Sequence, residues 1–329
     1  MRQTKLPDLR DTRFAVSGAT GFIGRHLVSL LHDRGAEVVM LRRPGSPTVP
    51  FAPVRSHVID FSDQRACAAA LRRLQPTHIV HLAGFANSDR SVEAISRSLD
   101  VNLIAGVHFV LGAMDAVPDA RVVVSGTLET SNPWEGAIEV GSPYGISKVM
   151  LEVLTGSLGR LYGANLLNAK IGMVYGPDDP NEKRLVPTVV RALLRGESPM
   201  LSSGTRRCDF VYVGDVAEAL MRASLAERVD VPSVDIGTGV LTSIRDMTGL
   251  ICKAVGGARA PTYSGVLDRP NEQERAANIA ATQAAIGWSP TVSLTDGIAR
   301  TVQWHQRLYA SKVSETPAFA SGVQSRPAI

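Results

Sequence analysis

Apolar residues fall into two rhythms along this chain: short unbroken runs, and longer stretches in which they recur every three or four positions. The runs at Phe14-Ala15-Val16, Glu37–Leu41, Thr77–Gly84 and Arg121–Val124 predict strands, and the more polar Val54–Asp60 reads as another. The spaced pattern at Leu27, Val28, Leu30 and Leu31, the alanine-rich 66–74 and the long stretch 92–114 predict helices between them. Strand and helix therefore alternate, which predicts an α/β fold: a Rossmann-like, doubly wound parallel sheet covered on both faces. In the second half a helix is expected over Glu182–Arg195, a strand over Asp209–Val213, a helix over Asp215–Leu225 and a strand at Asp235 running into a turn at Gly239. The stretch 311–329 is rich in Ser, Pro, Ala and Gly without periodicity and is expected to be disordered.

The first run breaks straight into Ser17-Gly18-Ala19-Thr20-Gly21-Phe22-Ile23-Gly24 and then into the helical pattern. In a strand-turn-helix of this kind Gly18 permits the tight bend, Gly21 lets main-chain N–H groups approach a ligand, and Gly24 lets helix and strand pack closely. A helix start carries partial positive charge and unpaired N–H donors, so a pyrophosphate is the natural guest. The spacing is GxxGxxG rather than GxGxxG. The second strand ends in Arg42-Arg43-Pro44-Gly45, with Arg42 18 residues beyond Gly24. In dinucleotide folds the group near this position meets the adenosine ribose, where arginine accommodates a 2′-phosphate and a carboxylate selects a free hydroxyl. NADP(H) is therefore expected over NAD(H).

Composition narrows the classes. In 329 residues, 44% hydrophobic and 20% charged, no apolar run reaches the roughly 20 residues of a membrane span, and residues 1–12 are polar, so neither membrane nor secretion is expected. Three separated cysteines (Cys67, Cys208, Cys252) form neither a disulfide framework nor a metal cluster; a reducing, cytoplasmic setting without metal is the expectation. The net charge of +4 comes from scattered Lys and Arg, which argues against nucleic acid and mildly favours small anions.

The strand at 121–124 ends in Ser125-Gly126-Thr127-Leu128-Glu129, a hydroxyl and a carboxylate where open α/β sheets bind ligands. Downstream, Ser142-Pro143-Tyr144-Gly145-Ile146-Ser147-Lys148 opens a helix, and Tyr144 and Lys148, four apart, share one face. A neighbouring ammonium lowers a phenol's pKa, so such a pair can pass a proton to or from an alcohol oxygen. His78 and His81, on a buried strand, are expected to be hydrogen-bonded core residues.

Taken in order, GATGFIG (Gly18 to Gly24), Asp60, HLAG (His81 to Gly84), Asn102, SGT (Ser125 to Thr127), YGISK (Tyr144 to Lys148), VYGP (Val174 to Pro177), DFVYVGDVAEA (Asp209 to Ala219) and IGWSP (Ile286 to Pro290) make the chain resemble the extended short-chain dehydrogenase/reductases, especially the nucleotide-sugar epimerases, dehydratases and ketoreductases. The likeness runs from about Arg13 to Gln306. It implies an N-terminal extension over 1–12, a dinucleotide domain over 13–175 and a smaller α/β substrate domain over 176–310, partly interleaved with the first. It also implies that Gly18, Gly21 and Gly24 hold the pyrophosphate, Arg42 and Arg43 the 2′-phosphate and Asp60 the adenine. Phe22, Ile23, Phe61, Leu82, Ala83 and Asn102 complete the cofactor site.

By the same resemblance Tyr144 is the acid/base, Lys148 binds the nicotinamide ribose and depresses the Tyr144 pKa, Thr127 hydrogen-bonds the reacting oxygen, and Glu129 serves a dehydratase. Arg207 and Arg269 are the expected substrate-diphosphate ligands, and two helices per subunit are expected to build a homodimer. Two positions depart from the family: Met173 stands for a common Asn and Cys208 for a common Arg. The expected reaction is C4 oxidation or reduction of a nucleotide-hexose, by an epimerase or ketoreductase. The alternatives are a 4,6-dehydratase, a reductase of a ketone without a nucleotide, and a dinucleotide-sensing regulator that has lost catalysis.

Overall fold

Every helix the chain builds needs a start signal, and most are written as a capping side chain. In the computed structural model, which describes residues 8–46, 54–87, 89–227, 229–257, 259–269 and 271–315, Asp63, Ser91, Ser142, Ser243 and Asn278 each accept a backbone N–H at a helix start. Left-handed Gly163, Gly256 and Gly287 end three of these helices.

The strands are β1 Arg13–Ser17, β2 Glu37–Arg42, β3 Arg55–Val58, β4 His78–His81, β5 Arg121–Thr127, β6 Leu166–Ile171, β7 Met173–Tyr175, β8 Met200–Leu201, β9 Arg207–Tyr212, β10 Ser233–Ile236, β11 Leu241–Ser243 and β12 Thr262–Tyr263. The helices are α1 Phe22–Asp33, α2 Gln64–Leu74, α3 Val92–Ser98, α4 Ala105–Ala116, α5 Pro143–Tyr162, α6 Leu185–Leu194, α7 Val213–Leu225, α8 Ile244–Val255, α9 Ile279–Ile286 and α10 Leu294–Glu315.

Seven strands form one parallel sheet in the order β3-β2-β1-β4-β5-β6-β10. Alternation along each strand separates two cores. Phe14, Val16 and Val123 face the layer of α1 and α7 with Leu27, Leu31, Leu220 and Trp288, whereas Ala15, Val122 and Val124 face the layer of α2, α4 and α5 with Leu71, Phe109 and Leu151. Because the strands are parallel, the carboxyl ends of β1, β2, β4 and β5 line a single edge of the sheet. A third core, with Tyr175, Val190, Phe210, Met247, Ile251 and Ile298, sits under α6, α8 and α10 beside the small sheet β11-β9-β7.

Three expectations change. The stretch 92–114 is not one α-helix: Leu99–Ile104 is a π-helical turn between α3 and α4. By length and composition the helical run Val92–Ala116 would suit a membrane, contrary to the sequence reading; in the fold Phe109, Val110 and Ala113 are buried. Gly112 lies so close to α2 that a Cβ there would stand 2.8 Å from Cβ of Cys67. Helix α10 runs on to Glu315, five residues into the stretch expected to be disordered, while 316–329 lie outside the described residues, as do 1–7 of the N-terminal extension.

Candidate dinucleotide and active site

The turn from β1 into α1 fits only glycine at two of its positions. Gly18 has φ +66°, and a Cβ there would stand 2.7 Å from the backbone nitrogen of Ala83; one at Gly24 would stand 2.7 Å from Cα of Ala19. Gly21 donates its N–H to the carbonyl of Gly18 at 2.9 Å, closing the turn. Among the described residues no side chain caps α1 and no acid lies in its first turn, so the leading N–H groups of Phe22, Ile23 and Gly24 keep their capacity to donate. Phe22 is buried and Ile23 half-buried, which fixes the helix on the sheet.

The end of β4 closes the far side of this turn. Ala83 donates its N–H to Ser17 Oγ at 3.2 Å, and His81 Nδ1 shares that oxygen at 2.8 Å. His81 stacks on Phe109 at 4.7 Å and is fully enclosed, which pushes its pKa down to about 3 and keeps it neutral. His78 stacks on Phe14 at 4.8 Å. Both histidines are framework that holds Leu82 and Ala83 against Gly18.

Arg42 ends β2 half-buried, donating Nη1 to the Ser46 carbonyl at 3.1 Å while its buried Nε has no partner among the described residues; Arg43 is exposed. Asp60 is exposed, and hydrogen bonds from the hydroxyl (2.7 Å) and N–H (2.9 Å) of Ser62 hold its carboxyl below the usual range. Phe61 lies half-buried against Phe109 and His81. A glycine turn that rejects any Cβ, an uncapped helix start and a guanidinium with an unused buried donor together fit a dinucleotide.

The catalytic candidates meet at the carboxyl end of β5. Ser142 caps α5 by accepting the Gly145 N–H at 3.0 Å, and Pro143 sits in the first turn, so Tyr144 and Lys148 are placed one turn apart. Lys148 donates Nζ to the Ser125 carbonyl (2.9 Å) and hydroxyl (3.1 Å). Burial pulls its pKa down to about 8. Thr127 is buried and accepts the Glu129 N–H at 3.1 Å, which turns Glu129 back over the strand end. Asn102, in the π turn, accepts the Phe85 N–H at 2.6 Å and donates to the Phe85 carbonyl and to Ser147 Oγ. It therefore pins the loop after β4 to α5.

The expected depression of the Tyr144 pKa is not what these protein groups produce. Burial, and after it the negative charge of Glu129, push the phenol up, and Arg184 is the cation that opposes them. Lys148 Nζ lies 6.0 Å from the Tyr144 ring centre and points its donors at Ser125 instead.

The arginines also differ from expectation. Arg207 turns away onto Glu274, with its Nε 2.8 Å from the carboxylate and its own N–H held by the same side chain; Arg269 is exposed beside Glu272 at 3.4 Å. The arginine brought to the site is Arg206, which sequence reading missed: its guanidinium reaches Glu129 at 3.0 Å and Glu272 at 3.0 Å. Strand alternation held the signal, because Arg206 and Cys208 share one face and Arg207 takes the other. Cys208 is buried in the third core and burial pushes its thiol up to about 11, so it stays neutral; Met173 packs against that core.

The sequence pattern of the NAD dependent epimerase/dehydratase family matches residues 14–237. The UDP-glucose 4-epimerase of Mycolicibacterium smegmatis is 30% identical over 314 residues, covering 89% of this chain and 98% of that protein. A dTDP-glucose 4,6-dehydratase of Streptomyces griseus is 30% identical over 318 residues, covering 90% and 94%. Among solved structures, a UDP-glucose 4-epimerase of Thermus thermophilus in complex with NAD superposes with a TM-score of 0.77 at 28% identity, covering 89% of this chain and 99% of that one.

Proposed function

The chain belongs to the NAD dependent epimerase/dehydratase family and is an NAD(P)-dependent enzyme of the nucleotide-sugar type; from that premise we propose that it oxidises or reduces a nucleotide-diphospho-hexose at C4, using NADP(H). One observation carries this reading: Thr127, Tyr144 and Lys148 converge at the end of β5, on the same sheet edge as the glycine turn. Gly18, Gly21 and Gly24 with the start of α1 would hold the pyrophosphate, Asp60 the adenine, and Arg42 the 2′-phosphate. The nicotinamide supplies the hydride acceptor or donor when bound. Tyr144 gives a proton to, or takes one from, the C4 oxygen, and Thr127 hydrogen-bonds that oxygen. Lys148, fully buried, offers N–H donors beside them.

Leu128 favours C4 redox chemistry over dehydration. A 4,6-dehydratase needs assistance for departure of the C6 hydroxyl, and Leu128, buried between Thr127 and Glu129, can neither donate nor accept a proton. The dehydratase relative and the position of Glu129 keep that reaction as the second reading. A sensor without catalysis is disfavoured because the Tyr/Lys pair is intact. A cytoplasmic homodimer is the setting expected for this enzyme.

Two measurements test the reading. An arginine fork on phosphate should contribute roughly 1.5–3 kcal/mol, so NADP is expected to bind at least about tenfold tighter than NAD in direct titration; equal affinities would remove the assignment to Arg42. Tyr144→Phe should lower turnover by on the order of 10²-fold or more while Glu129→Gln keeps substantial hydride transfer. Conversion of a nucleotide-hexose to its 4-keto-6-deoxy form by the wild type, stopped by Glu129→Gln, would establish the dehydratase instead.

A further inference from the structure

Three residues in the first turns of α1 reach across to the segment that joins β7 to α6. Arg25 places Nη1 2.6 Å from the Asp178 carboxylate, His26 Nε2 donates to the Pro177 carbonyl at 3.0 Å, and the Arg184 guanidinium lies 5.8 Å from the centre of the Phe22 ring. Arg184 is itself held by Asp179, whose carboxylate is buried and also accepts the Asn181 N–H. The other arm of Arg25 turns inward. Its Nη2 donates to the Thr20 carbonyl at 3.1 Å, inside the glycine turn between Gly18 and Gly21. One guanidinium therefore joins the segment 177–184 to the backbone that a pyrophosphate needs.

The backbone departs from ordinary geometry at this contact. Asp178 has φ +63°, a left-handed conformation that among the described residues only Gln75 and Asn271 share without being glycine. Aspartate tolerates that region better than most side chains, yet still at a cost, and the Arg25 fork is what holds it there. We propose that residues 177–184 form a clasp on the cofactor turn, with Arg25 and Asp178 as its positioning residues, and that the clasp slows departure of the dinucleotide. The inference rests on the reading of the β1–α1 turn as a dinucleotide site. It bears on which C4 reaction the chain performs. An epimerase takes hydride from C4 and returns it to the opposite face of the same carbon, so its dinucleotide is regenerated without leaving. A ketoreductase must exchange the oxidised form for the reduced one after every turnover. Slow exchange suits the epimerase.

The test follows release of the dinucleotide rather than turnover. The whole chain is loaded with NADPH, excess NADP is added, and the loss of bound-NADPH fluorescence gives the dissociation rate. Asp178→Asn keeps the size and left-handed tolerance of the side chain while removing its charge, and it should speed release by roughly threefold to tenfold. The direction separates a clasp from a plain charge effect. Asp178 is an anion tied to the turn that would hold a pyrophosphate, so if it acted by charge alone its neutralisation would slow release. Arg25→Met should speed release at least as much, and Arg25→Lys should keep part of the retention. Binding of 2′-AMP, which carries the adenosine and the 2′-phosphate but no pyrophosphate, should be the same in the wild type and in Asp178→Asn.

An Asp178→Asn release rate equal to or slower than that of the wild type overturns the proposal. So does an equal loss of affinity for NADPH and for 2′-AMP, which would mark a general loosening of the fold. Should Arg25→Met not fold, Asp178→Asn decides alone, since it leaves the bond from Arg25 to Thr20 in place. Wild-type chain loaded with NADPH is expected to carry it through gel filtration; a chain that emerges without it overturns the retention, and with it the preference for the epimerase. Failure of the underlying reading is separately visible, because the wild type would then bind no dinucleotide at all.

Discussion

Lys148 shows how the role proposed for a side chain can oppose stability at a single residue. Its pKa falls from an ordinary 10.5 to about 8, and burial is the cause. The folded state therefore disfavours the ammonium: the full penalty is present below pH 8 and is relieved as pH rises from 8 to 10.5. That shift corresponds to at most about 3 kcal/mol, reduced by about 1 kcal/mol for the donors Lys148 gives Ser125. Lys148→Met should thus be inactive yet more stable at pH 7 by about 1–2 kcal/mol, a gain that shrinks towards pH 10; urea unfolding of both proteins at the two pH values measures it. Residues of this kind were legible in the sequence when the backbone or the helix repeat fixed them. Gly18 and Gly24 stand where any side chain would collide, and Tyr144 and Lys148 stand one turn apart whatever surrounds them. Arg206 was missed although strand phase separates it from Arg207, because two adjacent arginines do not themselves say which face turns to the site. Nor was the direction of the Tyr144 shift legible: burial sets it and a carboxylate folded in from another segment reinforces it.

The elements tell a similar story. Strands with unbroken apolar runs and helices with a clear stripe were readable, but β6 (Leu166–Ile171) went unseen because Asn168 and Lys170 interrupt its run. Both are buried and face α5: Asn168 accepts from Thr155 at 2.9 Å, and Lys170 pairs with Glu152 at 3.2 Å. Helix α5 thus presents Tyr144, Lys148 and Glu152 at four-residue spacing, with the last of them paired to the sheet. Lys170 also donates to the Ser131 carbonyl at 3.2 Å, tethering the loop that carries Glu129. Burial pushes Glu152 up and Lys170 down, so neither is stable as a lone charge. Lys170→Met alone should cost about 3–5 kcal/mol, whereas adding Glu152→Leu should recover most of it; denaturant midpoints of the single and double variants compare them. The π turn Leu99–Ile104 was equally invisible, since its sequence continues the helical rhythm and only the clamp made by Asn102 marks it.

At the scale of the whole molecule, α3, α5 and the π turn leave apolar side chains uncovered, with Val92 82%, Ile104 47%, Met150 46% and Leu161 74% exposed. Such a face is what a two-fold contact between copies would bury, each pair of helices against its mate. Light scattering at micromolar concentration should report a dimer, and Met150→Glu should shift it towards monomer; a wild-type chain that stays monomeric removes this assembly. The seven-stranded sheet has a further consequence for synthesis. Its last strand, β10, comes from residues 233–236 but lies beside β6, which ends at Ile171. As the chain leaves the ribosome, β6 waits with one row of backbone donors and acceptors open until those later residues emerge. The part of the sheet built from residues 13–171 therefore cannot be completed while the rest is being translated, and during that interval the nascent chain carries an open strand edge that β10 later covers.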